Sequence, residues 1–289
     1  MNITGKTKIC GLIGDPVEHT MSPPMHNAAF DKLGLDYAYL PFHVRPEDLS
    51  DAVSGLRALN VVGFNVTIPH KVAVIPLLDE LDSLAEKIGA VNTVVNDNGV
   101  LKGYNTDASG FLQALLERGI EPRRKNIVLL GAGGAARAIA YILAERNTRL
   151  TILNRREEID WAEAIAANIK TDLAQEVKVF ELLPEYLRET LAASDVLVNA
   201  TSVGMSPESD ASPVPAGLLK SELVVVDIVY NPVRTRLLRE AEAAGAVTVA
   251  GIDMLVWQGA MAFEKWTGQK APFDLMKEVV LKGLENRED

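Results

Sequence analysis

The stretch that most constrains this chain is Gly131-Ala132-Gly133-Gly134-Ala135-Ala136, which follows the apolar run Asn126-Ile127-Val128-Leu129-Leu130 and opens a helix-like segment through Arg146. A strand that ends in G-x-G-x-x-G/A where a helix begins is the first βα turn of a dinucleotide-binding unit. Gly131 permits the turn, and Gly133 lets the main chain approach a pyrophosphate. The amides that open the helix stabilise the ligand's negative charge. A βα turn that merely needs glycine is the competing reading, and the second apolar run, Leu150 to Leu153, ending near Asn154, favours the dinucleotide. An acid at that strand end would accept the ribose hydroxyls of NAD and repel a 2′-phosphate. Asn154-Arg155-Arg156 stands there instead, and two guanidinium groups suit the phosphate of NADP. Glu157 and Glu158 follow at once, and either could turn inward, so NAD stays open.

The pattern around this turn repeats. Ile127 to Leu130, Leu150 to Leu153, Val177 to Leu182, Val196 to Asn199, Leu223 to Val229 and Val247 to Ala250 are nearly unbroken apolar runs separated by helix-length segments. Such runs mark strands buried on both faces, as in a doubly wound parallel sheet. Upstream, Lys8 to Ile13, Tyr37 to Val44 and Val61 to Thr67 read as strands. Helical spacing covers Pro24 to Leu33, a segment opened by Pro46 with Leu49, Val53, Leu56 and Leu59 on one face, and Lys71 to Leu81. Asn98-Gly99 between Asn92 to Asn96 and Val100 to Tyr104 predicts a hairpin. A charged, proline-containing stretch, residues 121–125, separates the two patterns. After Gly251 two more helices are expected, Met254 to about Trp266 and one after Pro272, and a six-stranded doubly wound domain has no use for them.

At roughly 150 residues per domain, 289 residues favour two domains. The expectation is an α/β fold with an N-terminal α/β domain, residues 1–107, joined by C-terminal helices, residues 251–289. A Rossmann-like doubly wound domain, residues 108–250, lies between them in sequence. Twenty-nine basic residues stand against 39 acidic ones, mixed along the chain, so nucleic acid is not an expected partner. No apolar stretch approaches the roughly 20 residues of a membrane span, and the N-terminus lacks a secretory pattern. The one cysteine, Cys10, reads as a buried strand residue of a chain in a reducing compartment, hence cytoplasmic. His19, His26, His43 and His70 lack metal-ligand spacing, and no metal site is expected.

Several strings together resemble the shikimate dehydrogenase family over essentially the whole chain. They are Gly14-Asp15-Pro16 through His19-Thr20-Met21-Ser22-Pro23 and His26-Asn27; Gly63 through Lys71 (GFNVTIPHK); Gly89-Ala90-Val91-Asn92-Thr93; and Gly103-Tyr104-Asn105-Thr106-Asp107. The glycine turn, Asn199 through Met205 (NATSVGM), Tyr230-Asn231-Pro232 and Met254 through Gln258 (MLVWQ) complete them in family order.

The resemblance implies reversible, nicotinamide-dependent reduction of 3-dehydroshikimate to shikimate in aromatic amino acid biosynthesis. Hydride addition to a ketone leaves a developing alkoxide that needs a proton and nearby positive charge. By the resemblance Lys71 is the general acid/base, and Asp107 orients it and hydrogen-bonds the substrate hydroxyl. Thr20 and Ser22 match carboxylate ligands, Asn65, Thr67, Asn92 and Gln258 match ring-hydroxyl ligands, and Tyr230 matches a phenol on the substrate side. Thr201, Met205 and Gly251 match positions beside the nicotinamide. The familiar first motif has Ser where Thr20 stands, and Arg156-Glu157-Glu158 resembles the dual-specificity branch. A quinate/shikimate dehydrogenase using NAD or NADP is therefore the second expectation, and a dinucleotide-binding regulator without catalysis a remote third. Ala250 and Asp253 also depart from the common string. Small molecules are the expected partners, and a homodimer stays open.

Overall fold

The computed structural model describes residues 3–288. Met1, Asn2 and Asp289, at the ends of the expected domain spans, lie outside the described residues. The chain divides into two compact units, Met1–Thr106 with Val256–Asp289, and Asp107–Leu255.

The first unit carries β1 (Lys8–Gly14), α1 (Ser22–Lys32), β2 (Tyr37–His43), α2 (Leu49–Ala58), β3 (Gly63–Val66), β4 (Glu80–Leu81), α3 (Ser83–Ile88), β5 (Thr93–Asp97) and β6 (Val100–Tyr104). α4 (Thr106–Glu117) leads into the second unit, which holds β7 (Asn126–Leu130), α5 (Gly134–Glu145), β8 (Arg149–Asn154), α6 (Ile159–Leu173), β9 (Lys178–Glu181), α7 (Pro184–Ala192), β10 (Val196–Asn199), β11 (Val224–Asp227), α8 (Arg236–Ala243) and β12 (Val247–Ala250). α9 (Gly251–Thr267) contains the second crossing between units, and α10 (Phe273–Glu288) ends the first unit.

Sheet one runs β2-β1-β3-β5-β6-β4. Its first three strands are parallel, and β3, β5 and β6 pair antiparallel. Asn98 and Gly99 both take positive φ, 53° and 94°, which is the geometry of the expected hairpin turn. One side of the sheet buries Ile13, Phe64, Val66, Val94 and Leu101 against Val53 and Leu56 of α2. The C-terminal helices join the same unit: α10 packs on α1, and Trp266 Nε1 of α9 donates to Val94 O at 3.0 Å.

Two helical expectations are corrected. Lys71 to Leu81 is a series of turns, a single 3-10 turn over Ile75–Leu77 and then β4. Pro76 has no N–H to donate to the preceding turn and its ring would clash there, so an α-helix cannot run through it. The segment opened by Pro46 begins as a 3-10 turn, Pro46–Asp48, and α2 ends at Ala58. Leu59 therefore falls beyond the apolar face and is 75% exposed.

Sheet two is entirely parallel, in the order β12-β11-β10-β7-β8-β9. Read from β9, the first, second and third strands run outward from β7 on one side and the fourth, fifth and sixth on the other. The order reverses between β7 and β10, and in such sheets ligands bind outside the carboxyl ends of strands at that point. Ile127, Val128, Leu129, Leu130 and all of Val196, Leu197, Val198 and Asn199 are buried, as continuous apolar runs require.

Candidate active site

In the first unit, five residues picked out for a hydroxylated acid meet in or beside one polar network. The Tyr39 phenol, 1% exposed on β2, donates to Asn65 Oδ1 at 2.7 Å. Burial drives its pKa well above the phenol range, and the Ser22 side chain beside it pulls partly back. With its oxygen so engaged, Asn65 turns its Nδ2 to Asn92 O at 3.1 Å and Thr93 Oγ1 at 3.0 Å. Asn92 Oδ1 accepts from Thr106 N at 2.7 Å, and Asn92 Nδ2 donates to Thr106 Oγ1 at 2.9 Å and to Gln258 Oε1 of α9 at 3.3 Å. Thr20 Oγ1 accepts from Ser22 N at 3.2 Å at the start of α1. Asn65 and Asn92 are buried, and Thr20 and Gln258 are half-buried, so the network grades from core to accessible groups, and Thr67, just past β3, is also half-buried.

Lys71 lies in the turn after β3. Its carbonyl accepts from Val91 N at 2.8 Å, His70 N donates to Thr67 O at 2.9 Å, and His70 Nε2 donates to Val44 O at 2.6 Å. These bonds fix the backbone of a half-buried lysine without a helix. Asp107 is buried and is the next residue after Thr106, whose N–H and hydroxyl belong to the network. Its main chain is thereby held one residue from Asn92's partner.

Behind Tyr39 stands His26, fully buried, its ring stacked on the phenol ring with centroids 4.5 Å apart. Neither ring nitrogen has a partner among the described residues, and burial pushes its pKa down to about 3.

In the second unit the glycine turn occupies the end of β7. Gly131 has φ +97°, and a Cβ there would come within 3.0 Å of Ala200 O and 3.1 Å of Thr201 Cγ2. Any side chain would strain the turn and push apart the loops after β7 and β10. Gly133 caps α5, and a Cβ on it would meet nothing within 4 Å. The turn thus faces open space with the amides of Gly134 and Ala135 at the positive end of a helix, and Ala132 beside them is buried. These residues fit a dinucleotide pyrophosphate.

At the end of β8, Asn154 is buried, and Arg155 and Arg156 are exposed. Asn154 Nδ2 donates to Glu158 O at 2.6 Å, and Arg155 forms an ion pair with the Glu158 carboxylate.

The loops after β10 and β11 are tied by Asp227. Asn199 Nδ2 donates to Asp227 Oδ1 at 2.9 Å, while Asn199 Oδ1 accepts from Thr201 N at 3.1 Å and Thr201 Oγ1 at 2.7 Å. Val229 N and Thr235 Oγ1 also donate to the same carboxylate, at 3.1 and 2.6 Å. Ser206 N bonds Asn231 O at 2.9 Å, joining the segment with Met205, 46% exposed, to the one with half-buried Tyr230. Burial pushes the Asp227 carboxyl up to about 6 against the pull of those three hydrogen bonds. Gly251 has its own structural reason: a Cβ would come within 2.4 Å of Ile228 O.

Tyr39, His70, Asn199 and Asp227 were not among the candidate site residues. Asp227 had a signal, a charge closing the run Leu223-Val224-Val225-Val226. Tyr39 had none, since an aromatic residue on a strand reads as core.

Three family models match: "Shikimate dehydrogenase substrate binding domain" over residues 12–94, "Shikimate / quinate 5-dehydrogenase" over residues 115–233 and "Shikimate 5'-dehydrogenase C-terminal domain" over residues 251–281. A protein of Methanopyrus kandleri named shikimate dehydrogenase (NADP(+)) is 50% identical over 287 residues, 98% of each chain. A crystal structure of a shikimate dehydrogenase in complex with NADP+ superposes with a TM-score of 0.91 at 44% identity, covering 98% of each chain. A shikimate 5-dehydrogenase from Listeria monocytogenes, in complex with shikimate and NAD, gives 0.89 at 44% identity, covering 97% of this chain and 98% of that one.

Proposed function

The chain belongs to the shikimate dehydrogenase family, and from that premise we propose that it catalyses the reversible NADPH-dependent reduction of 3-dehydroshikimate to shikimate, a step of aromatic amino acid biosynthesis. The observation that carries the reading is the network joining Tyr39, Asn65, Asn92 and Gln258 in the unit that also holds Lys71. Amides and hydroxyls held in fixed directions by such bonds suit recognition of a polyhydroxylated ring, whose hydroxyls must match those directions.

The first unit binds the acid. Thr20 and Ser22 take its carboxylate, and Asn65, Thr67, Asn92 and Gln258 take ring hydroxyls. The second unit binds the dinucleotide at Gly131, Ala132, Gly133, Gly134 and Ala135, with Asn154, Arg155 and Arg156 at the adenosine end. By the family motifs they match, Thr201, Met205 and Gly251 are assigned to the nicotinamide and Tyr230 to the substrate. The bound dinucleotide supplies or accepts the hydride. Lys71 Nζ donates a proton to the carbonyl oxygen as it becomes an alkoxide, and takes it back in oxidation. Asp107 hydrogen-bonds the neighbouring hydroxyl and fixes the proton's path.

Among the described residues no helix is long and apolar enough to cross a membrane. A reducing, cytoplasmic setting is supported by the lone buried thiol of Cys10, which burial holds in its neutral form. Quinate with NAD is the second reading, favoured by Thr20 and by the Glu158 carboxylate on Arg155. Shikimate-dependent formation of reduced nicotinamide from NADP+ tests the proposal. Dinucleotide binding without turnover of shikimate or quinate would point instead to a regulator.

A further inference from the structure

The turn between β8 and α6 closes on Glu158 from several directions. Its carbonyl accepts from Asn154 Nδ2 at 2.6 Å, its N–H donates to Arg155 O at 3.1 Å, and its carboxylate pairs with the Arg155 guanidinium. The Arg155 side chain is 66% exposed and that of Glu158 only 22%, so the anion is the anchored partner and the cation reaches in to it. Glu158 also occupies the cap position of α6, a 15-residue helix whose opening N–H groups attract negative charge. Arg156, one residue on, makes no ion pair among the described residues.

A 2′-phosphate at this strand end would need the charge that Glu158 already neutralises, and would sit beside a like charge. A free ribose 2′-hydroxyl has the opposite requirement, since it donates to a carboxylate. Resting on the dehydrogenase reading above, we infer that Glu158 is a specificity-determining residue for the dinucleotide: it competes with the 2′-phosphate for Arg155 and so narrows the preference for NADP+ over NAD+. Arg156 carries the preference that remains. Neither arginine alone decides cofactor choice, because the turn brings its own anion to one of them.

The test is a titration of the full-length protein with NADP+ and, separately, NAD+, followed by calorimetry, for the wild type, Glu158→Gln, Arg155→Ala and the double variant. Gln keeps the main-chain carbonyl that Asn154 holds, so the turn survives. Glu158→Gln is expected to raise the ratio of NADP+ to NAD+ affinity about fivefold, the upper end for a partly exposed ion pair. In the Arg155→Ala background the same substitution is expected to raise the ratio by clearly less, because only the direct effects of the carboxylate on the 2′-phosphate and the 2′-hydroxyl remain. An unchanged ratio in the single variant, an equal shift of both affinities, or a full effect without Arg155 would each overturn the inference while leaving the dehydrogenase reading intact. Failure of the wild type to bind either dinucleotide would contradict that reading, and the inference with it.

Discussion

The Tyr39 phenol donates to Asn65 Oδ1 across 2.7 Å of buried space, and this bond decides which way the Asn65 amide faces. With the oxygen taken, Nδ2 points to Asn92 O and Thr93 Oγ1. Tyr39→Phe removes the donor and nothing else of the ring, including its stack on His26. The expected result is a loss of up to about tenfold in kcat/KM for shikimate, the scale of one hydrogen bond, with dinucleotide affinity unchanged. Steady-state kinetics and a separate NADP+ titration check both halves.

Lys71→Ala should lower kcat by roughly 10²- to 10⁴-fold, the contribution usual for a general acid/base. NADP+ should bind as before, because the residues assigned to it belong to the other unit. Turnover near the wild-type rate would remove Lys71 from the mechanism.

Asp227 ties the loops after β10 and β11 but is an expensive tie. Burial pushes its carboxyl up to about 6, against 3.8 for a free aspartate side chain. Between those values the folded state holds the proton and the unfolded state does not, so this group's contribution is full below 3.8 and is lost as pH rises through 6. The cost at neutral pH is about 3 kcal/mol. Asp227→Asn can still accept from Asn199 and Val229 and cannot ionise, so it should unfold at a higher denaturant midpoint at pH 7. Asp227→Ala leaves those donors and the Thr235 hydroxyl unpaired, and should be less stable and bind NADP+ more weakly.

His26 acts in the opposite sense. Its folded pKa near 3 lies below the 6.5 of a free imidazole. From pH 6.5 down to 3 only the unfolded state takes the proton, and stability should fall by about 5 kcal/mol over that window. Asp227 gains stability at the same rate between pH 6 and 3.8, so the two cancel over that range, and the pair's net loss, about 2 kcal/mol, falls between pH 6.5 and 6 and again below 3.8. In His26→Phe the Asp227 gain is unopposed, so relative to the wild type the denaturation midpoint should shift upward as pH falls from 6 to 3.8, and an unaltered pH profile would show that the imidazole is not the titrating group.

The doubly wound sheet was legible because strands buried on both faces must be continuously apolar, and Val196-Leu197-Val198 carries no other meaning. The hairpin was legible because Asn98-Gly99 can take positive φ at both positions. The stretch after Lys71 was misread because Val72, Ile75 and Leu78 have helical spacing, and the single Pro76 outweighs it. Motif strings marked Asn65, Asn92 and Gln258 but gave no view of how they are oriented. That depends on Tyr39, 26 residues from Asn65 in the chain, and on α9, which returns 166 residues after Asn92. Contacts so distant in sequence leave no local pattern. Likewise Glu157 and Glu158 were equal candidates to turn inward, and the ion pair of Glu158 with Arg155, together with the Asn154 bond to the Glu158 carbonyl, singles out one of them.

The most direct measurement of the central claim is kcat/KM for shikimate and for quinate, each with NADP+ and with NAD+. The account predicts the highest value for shikimate with NADP+, measurable turnover of shikimate with NAD+, and quinate well below both. A quinate value with NAD+ that equals or exceeds shikimate with NADP+ would contradict it.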